Sequence, residues 1–186
     1  MSSILRMRDA TFGEGGDAAG PHSVDVGSGE RVSLVCASPR DAEITAKLGA
    51  GLVKATSGSV SIGEFDPRVQ PVHCKRIAAF VPHAAMPLPQ MDFEGYIAYR
   101  AALWNVDRIR AIAHARLILE RLEGVHEAFA FPLIGALVTP ATMIVLERPQ
   151  PAYAVQILAA IGPRALFSTH AEAGAADAFA QAAVSA

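Results

Sequence analysis

Polar and apolar positions fall into short strand-like runs in the first third of the chain, helical periods in its middle, and strand alternating with helix at its end. Residues 4–12 alternate in part and predict an edge-type strand. The glycine-rich segment 13–17 predicts a turn, 22–26 a second strand and 27–30 another turn. Residues 31–36 are mostly apolar, as a buried central strand requires. A helix is predicted over 41–52, with Gly49 and Gly51 near its close, followed by strands at 59–62 and 77–81. Residues 91–103 and 106–123 carry helical periods, 142–146 a buried strand, 153–161 a helix, 165–168 a strand and 171–184 an Ala-rich helix. Strands, then helices, then a βαβ run predict one α/β domain over 1–186, a mixed sandwich with a helical insertion at about 91–127.

Composition narrows the function classes. A chain of 186 residues suits one domain with a substantial core. At 52% hydrophobic residues and a formal charge of −2 it is neither an extended disordered protein nor one with a basic signal for nucleic acid. Two cysteines, Cys36 and Cys74, point to a reduced compartment without a disulfide framework. His73 beside Cys74 does not make a metal site, and no other ligand pair has useful spacing, so no metal is expected. The chain has no apolar run of about 18 residues and no signal-peptide pattern at its start. A cytoplasmic protein is expected, with any membrane contact made through a partner.

Between the strand at 31–36 and the helix that follows, Ser38, Pro39, Arg40 and Asp41 read as a strand-to-helix turn with its own capping residue. A helix N-terminus attracts anions, each worth roughly 0.3–1 kcal/mol at an exposed site. Here Asp41 and Glu43 supply those anions from within the first turn. The same charges oppose activation of the Cys36 thiol. No Ser-His-Asp or Cys-His constellation appears, so no catalytic residue is assigned.

The frame around this turn is a strand at 31–36, a helix, and a hairpin at Thr56, Ser57 and Gly58. Further along stand Val81-Pro82-His83, then Met143-Ile-Val-Leu-Glu-Arg-Pro149, then Ala165-Leu-Phe-Ser-Thr-His170. In this order and spacing they resemble the ATPase subunits of ATP-binding cassette (ABC) transporters, from about residue 5 to about residue 177. The resemblance implies a P-loop NTPase-like ABC nucleotide-binding domain with a reduced helical subdomain. The family's phosphate-binding G-x-x-x-x-G-K-[ST] is missing. Aligned from Thr56-Ser57-Gly58, its first glycine falls on Cys36, a middle glycine on Pro39, its last on Asp41, its lysine on Ala42 and its hydroxyl on Glu43. Pro39 has no N–H, Asp41 adds a Cβ, Ala42 removes the cation, and Glu43 adds a carboxylate where phosphate would lie. The adenine-stacking aromatic would fall near Glu14, where there is none. His83 replaces the Q-loop glutamine, and His170 matches the H-loop histidine.

Pinning Pro149 puts Glu147 on the metal-holding acid and Arg148 on the general base; pinning Pro140 would put Leu146 and Glu147 there. The first is preferred because Leu-acid-x-Pro is kept. Residues 123–127 lack the signature serine and paired glycines, and no Gly-Leu-Asp turn follows Pro149. Each survivor also has an ordinary reading: Glu147 as a paired carboxylate, His83 as a surface residue, His170 as a histidine without a catalytic role.

Phosphoryl transfer needs positioning, charge neutralisation and an oriented water. With lysine, hydroxyl, base and signature gone, the resemblance implies a degenerate pseudo-ATPase. The expected role is a non-catalytic, structural or regulatory partner in an ABC-type membrane transport complex. Alternatives are a weak nucleotide-binding sensor and a soluble scaffold that kept only the fold. No cofactor is expected, although Mg-ATP remains admissible. The implied partners are a membrane-embedded transporter subunit and an active ABC ATPase subunit, with a homodimer as a further option; the place is the inner face of the membrane. In the family, the region after the Q-loop receives a membrane subunit's helix. Here it holds Phe93, Tyr96, Tyr99 and Trp104 at i, i+3, i+6 and i+11. A helical aromatic stripe is usually core; at least half of these are expected inside and the exposed remainder in a docking site.

Overall fold

Two sheets meet across the first helix of the chain. The computed structural model describes residues 3–14, 18–83 and 91–185. Strands β1 (Ser3–Phe12), β2 (Ala19–Gly27) and β4 (Ser57–Ile62) form an antiparallel sheet in the order β2-β1-β4. Strands β3 (Arg31–Val35), β5 (Ala78–Val81), β6 (Met143–Glu147) and β7 (Ala165–His170) form a parallel sheet in the order β3-β7-β6-β5. The helices are α1 (Pro39–Gly49), α2 (Pro71–Ile77), α3 (Phe93–Leu103), α4 (Arg108–Arg121), α5 (Glu127–Leu137), α6 (Ala154–Ile161) and α7 (Ala173–Ser185).

The parallel sheet is covered on both faces, which is why β6 and β7 read as continuous apolar runs. Side chains alternate across a strand. Met143 and Val145 of β6, with Ala165 and Phe167 of β7, enter one core with Leu48 of α1 and Leu5, Met7 and Ile62 of the antiparallel sheet. Ile144, Leu146 and Leu166 enter the opposite core, with Leu137 of α5, Ile157 of α6 and Phe179 of α7. The α/β architecture and the helical insertion therefore follow from one alternation read in two directions.

Four expectations change. β3, expected as a buried central strand, stands at the edge of its sheet with β7 as its one neighbour there, and it is half-buried with Val35 exposed, because an apolar run alone does not say whether a second strand pairs with it. β1 is the central strand of its sheet, flanked by β2 and β4, and not an edge. Its Leu5, Met7 and Ala10 are buried while Arg6 and Arg8 face outward to Asp25 of β2. One-sided alternation fixes which face is buried; whether both edges are paired depends on the partners. Helices α2 and α5 are additional, and the helical segment α3–α5 runs on to Leu137. α5 is buried on nearly every side and contains Pro132, so it shows neither the polar stripe nor the proline-free interior by which a helix is recognised. The turn expected at 13–17 lies partly outside the described residues.

Gly49 closes α1 directly against Phe167; a Cβ there would lie 2.7 Å from two atoms of the buried ring. Gly49→Ala is expected to destabilise the chain by about 1–3 kcal/mol in chemical denaturation. Adding Phe167→Leu should recover part of that loss, and simple additivity in the double mutant would contradict the contact.

Candidate functional site

Open parallel sheets present ligands beyond the carboxyl ends of their strands. At that end β3 leaves through Cys36, Ala37 and Ser38 into α1. Ser38 caps the helix from extended backbone (φ −154, ψ 165), its hydroxyl accepting from the Asp41 N–H at 3.1 Å. Pro39 sits in the first turn, where its missing N–H costs nothing. The Asp41 side chain turns back into the loop. Its Oδ2 accepts from the Ala37 N–H at 2.9 Å. Its Oδ1 accepts from the Gly20 N–H at 3.0 Å, from Thr45 Oγ1 at 3.4 Å, and lies 2.9 Å from His22 Nε2. The Cys36 N–H goes to the His170 carbonyl at 2.7 Å and the Ala42 N–H to the Ser38 carbonyl at 2.9 Å. The amides of residues 36, 37, 41 and 42, the kind that cradle a phosphate, are thus bonded within the chain.

Asp41 is 8% exposed. Burial raises its pKa, but the bonds from His22, Ala37 and Gly20 outweigh that and hold the carboxyl below its ordinary value. Beside it the buried Cys36 thiol is pushed up to about 12, by burial first and then by the Asp41 charge. This is a protonated thiol and no nucleophile. Glu43 pairs with Lys47 one turn on and lies within the field of Arg40 and Arg148, and these hold its carboxyl below the ordinary value.

Glu147 ends β6 in register with Thr169, and the alternation that sends Met143 and Val145 toward α1 sends Glu147 the same way. Thr169 Oγ1 on that face donates to the Ala42 carbonyl at 2.9 Å. Glu147 is buried and accepts from the Arg148 guanidinium at 3.3 Å. Arg148 has φ +42, a region unusual for a long side chain, and its buried Nε has no hydrogen-bond partner among the described residues. His83 donates from Nδ1 to the Arg148 carbonyl at 2.8 Å, tying the end of β5 to the end of β6. His170 points to the other face of the sheet, with Nε2 at 3.0 Å from Ser168 Oγ and its ring 5.4 Å from that of Phe179. It is 1% exposed, and burial lowers its pKa to about 4.

Cys36, Asp41, Ala42, Glu43, Glu147 and Arg148 thus gather at one end of the sheet, Pro39 stands at the helix start, and His170 is turned away. His22 is the site residue that the sequence did not disclose. It lies on β2, opposite Ala10 of β1, and reaches Asp41 only because the antiparallel sheet folds over the turn.

The aromatic set does not share one face. Tyr96 is core, its ring lying on Gly135, where a Cβ would come within 2.5 Å of its hydroxyl. Phe93 packs on Phe131 with ring centroids 5.0 Å apart. Trp104 is half-buried, and Tyr99 is 47% exposed. An i, i+3, i+6, i+11 series drifts around the helix axis, so Tyr99 departs from the face that holds Phe93 and Tyr96. Residues 84–90 of this region lie outside the described residues. In place of a signature motif, α5 begins at its own cap, His126 Nδ1 accepting from the Ala128 N–H at 3.2 Å, with Glu127 in its first turn.

Asp41→Gly removes the acceptor of several buried N–H groups and is expected to cost roughly 3 kcal/mol in denaturant. The same variant should gain a rise in thermal midpoint with pyrophosphate that the parent lacks; equal responses would contradict the carboxylate's place in the cradle. His170 binds its proton near 6.5 when unfolded and near about 4 when folded. The stability from keeping it neutral is therefore complete above about pH 6.5 and is lost as pH falls through about 4, roughly 3 kcal/mol in all. His170→Gln should flatten the stability profile across that window.

No protein-family model matches the sequence, and neither does any curated protein sequence. The fold does match solved structures. An ATP-binding subunit of an ABC transporter superposes with a TM-score of 0.76 at 14% identity, over 95% of this chain and 82% of that one. CbiO from Clostridium perfringens, part of the ABC transporter complex cbiONQ, superposes at 0.69 and 13% identity, over 91% and 79%. A dimeric post-hydrolysis ATP-binding cassette bound to ADP and phosphate superposes at 0.68 and 14% identity, over 94% and 91%. The chain has the α/β fold of an ABC transporter ATP-binding subunit.

Proposed function

We propose that the chain is a non-catalytic ABC-ATPase-like subunit, a structural or regulatory partner in an ABC-type membrane transport complex. The observation that carries this reading is that the amides of the turn are bonded within the chain, that of Ala37 to the Asp41 carboxylate, which Gly20 and His22 also hold over the turn. Arg148 stands beside Glu147 at the sheet end and, always cationic, cannot deprotonate water. Mg-ATP binds negligibly and is not turned over.

A groove of about 870 Å³ supports the partner side of the proposal. It runs between α2, β5 and α3, lined among others by Leu52, Val72, Phe80, Leu103 and Trp104, with Arg76 and Arg100 at hand. Leu52, Val72 and Leu103 are exposed. Such a groove suits an amphipathic helix with an apolar stripe and acidic flanks. The proposed occupant is a cytoplasmic helix of a membrane subunit. No helix among the described residues is long and apolar enough to cross a membrane. In this proposal the docked helix holds the chain at the inner face. Pairing with an active ATPase subunit or a second copy belongs to the same proposal, since the chain shares its fold with a cassette solved as a dimer.

Two measurements test the reading. Calorimetric titration with Mg-ATP at near-physiological salt should give no binding; micromolar affinity would turn the reading into that of a nucleotide sensor. Co-purification from membranes should recover a polytopic partner with the parent chain and lose it with Leu103→Asp or Trp104→Ala, buried aromatic anchors being worth roughly 2 kcal/mol or more at interfaces. Undiminished recovery with folded variants would move docking to another face.

A further inference from the structure

The turn that replaces the phosphate loop brings together three metal-ligating chemistries. His22, Cys36 and Asp41 each offer a ligand atom, and the three atoms lie within 4.8 Å of one another. They come from β2, from the end of β3 and from the first turn of α1. The hydrogen bond between His22 and Asp41 accounts for two of them. The Cys36 sulfur is buried beside that pair, with the Thr45 hydroxyl and, at a long 3.9 Å, the Leu34 carbonyl as its polar neighbours.

We propose that His22, Cys36 and Asp41 form a tetrahedral binding site for a borderline-soft divalent cation of the zinc type, with water as fourth ligand. One thiolate, one imidazole and one carboxylate suit zinc or cobalt(II); magnesium and calcium take six or more oxygens. In a tetrahedral zinc site, nitrogen and oxygen ligands stand about 3.3 Å apart, and sulfur about 3.6 Å from either. His22 Nε2 and Asp41 Oδ1 are 2.9 Å apart, so that pair opens by a few tenths of an ångström. The sulfur closes by at most about one ångström, within the reach of a χ1 adjustment. A supporting shell is already in place: the Ala37 N–H holds Oδ2, while the Gly20 N–H and the Thr45 hydroxyl hold Oδ1. The His22 side chain is 14% exposed, which leaves an approach for the ion and room for its water.

The proton balance is simple. The ion arrives as the six-coordinate aqua ion, sheds five waters and keeps one as its fourth ligand. The thiol proton leaves to solvent, and the imidazole binds through the Nε2 lone pair with its proton on Nδ1. Burial first and the Asp41 charge second keep the thiol protonated in the free protein; the cation offsets both by bonding the thiolate and neutralising the carboxylate. Once bound, it ties the antiparallel sheet to the turn between β3 and α1. The proposal is independent of docking and of nucleotide exclusion.

The test is a titration of chelator-treated full-length protein with Co²⁺ alone. The expected result is one equivalent bound, with the near-ultraviolet thiolate-to-cobalt band and the intense visible bands of a tetrahedral ion, all displaced by Zn²⁺. Cys36→Ser should abolish the thiolate band. Both Cys36→Ser and His22→Gln, which keeps a donor toward Asp41, should weaken binding by at least about a hundredfold, the upper end of what losing a supporting residue costs. Cys74→Ser should change nothing. Zn²⁺ should raise the thermal midpoint of the parent and not of those two variants. Absence of the thiolate band in the parent would overturn the site, whatever the variants do. So would a band that survives Cys36→Ser or disappears with Cys74→Ser.

Discussion

The Asp41 carboxylate holds the turn at the carboxyl end of the parallel sheet in shape. A strand-to-helix turn in an open parallel sheet leaves backbone N–H groups pointing at one spot, and something must accept from them. In a phosphate-binding protein that acceptor is a ligand. Here it is a side chain of the helix itself, reached by donors from Ala37, from Gly20 and from His22 on the second sheet. One carboxylate therefore closes the turn at the carboxyl end of the sheet and joins the two sheets across α1. The neighbouring changes are consistent with that substitution. Pro39 needs no acceptor, Ala42 offers no cation to compete for the carboxylate, and Glu43 finds its cations in Lys47, Arg40 and Arg148.

The rest of the molecule keeps the frame that such a turn needs. Phe167 and Thr169 of β7 fix α1 from below, one through Gly49 and the other through the Ala42 carbonyl. On the reverse face Leu146, Leu166 and Phe179 pack against the helical segment. That segment in turn forms one wall of the groove beside α2. The charged end and the groove are thus built on the same sheet but separated by its strands, so that the first has closed on itself while the second stays open.

Much of the fold was legible because a doubly covered sheet writes itself as apolar runs. The strands at Met143 and Ala165 are of that kind, whereas the strand at Arg31 reads the same way and lies at the edge of the sheet, half-buried. Less legible were features that depend on which elements meet. β1 alternates as an edge strand does, and only its second partner makes it central. α5 is apolar on all sides and carries a proline, so its period has no polar phase to read. In the site, the capping turn at Ser38, Pro39 and Asp41 was visible as letters. The use to which Asp41 is put was not, because its partners His22 and Gly20 lie about twenty positions earlier and meet it only through tertiary packing. Likewise His170 keeps its place in the chain order, while its ring turns toward Phe179.

The covalent attachment of that carboxylate has a thermodynamic consequence. A tethered group acts at an effective concentration on the order of millimolar or above, one that dilution does not change. A free ligand stabilises the state it binds only in proportion to the logarithm of its concentration, and so its host reports how much of it is present. The turn between β3 and α1 is ordered by an acceptor that can neither be depleted nor hydrolysed. Its order therefore does not follow the supply or hydrolysis of a nucleotide, as that of a nucleotide-ordered loop would.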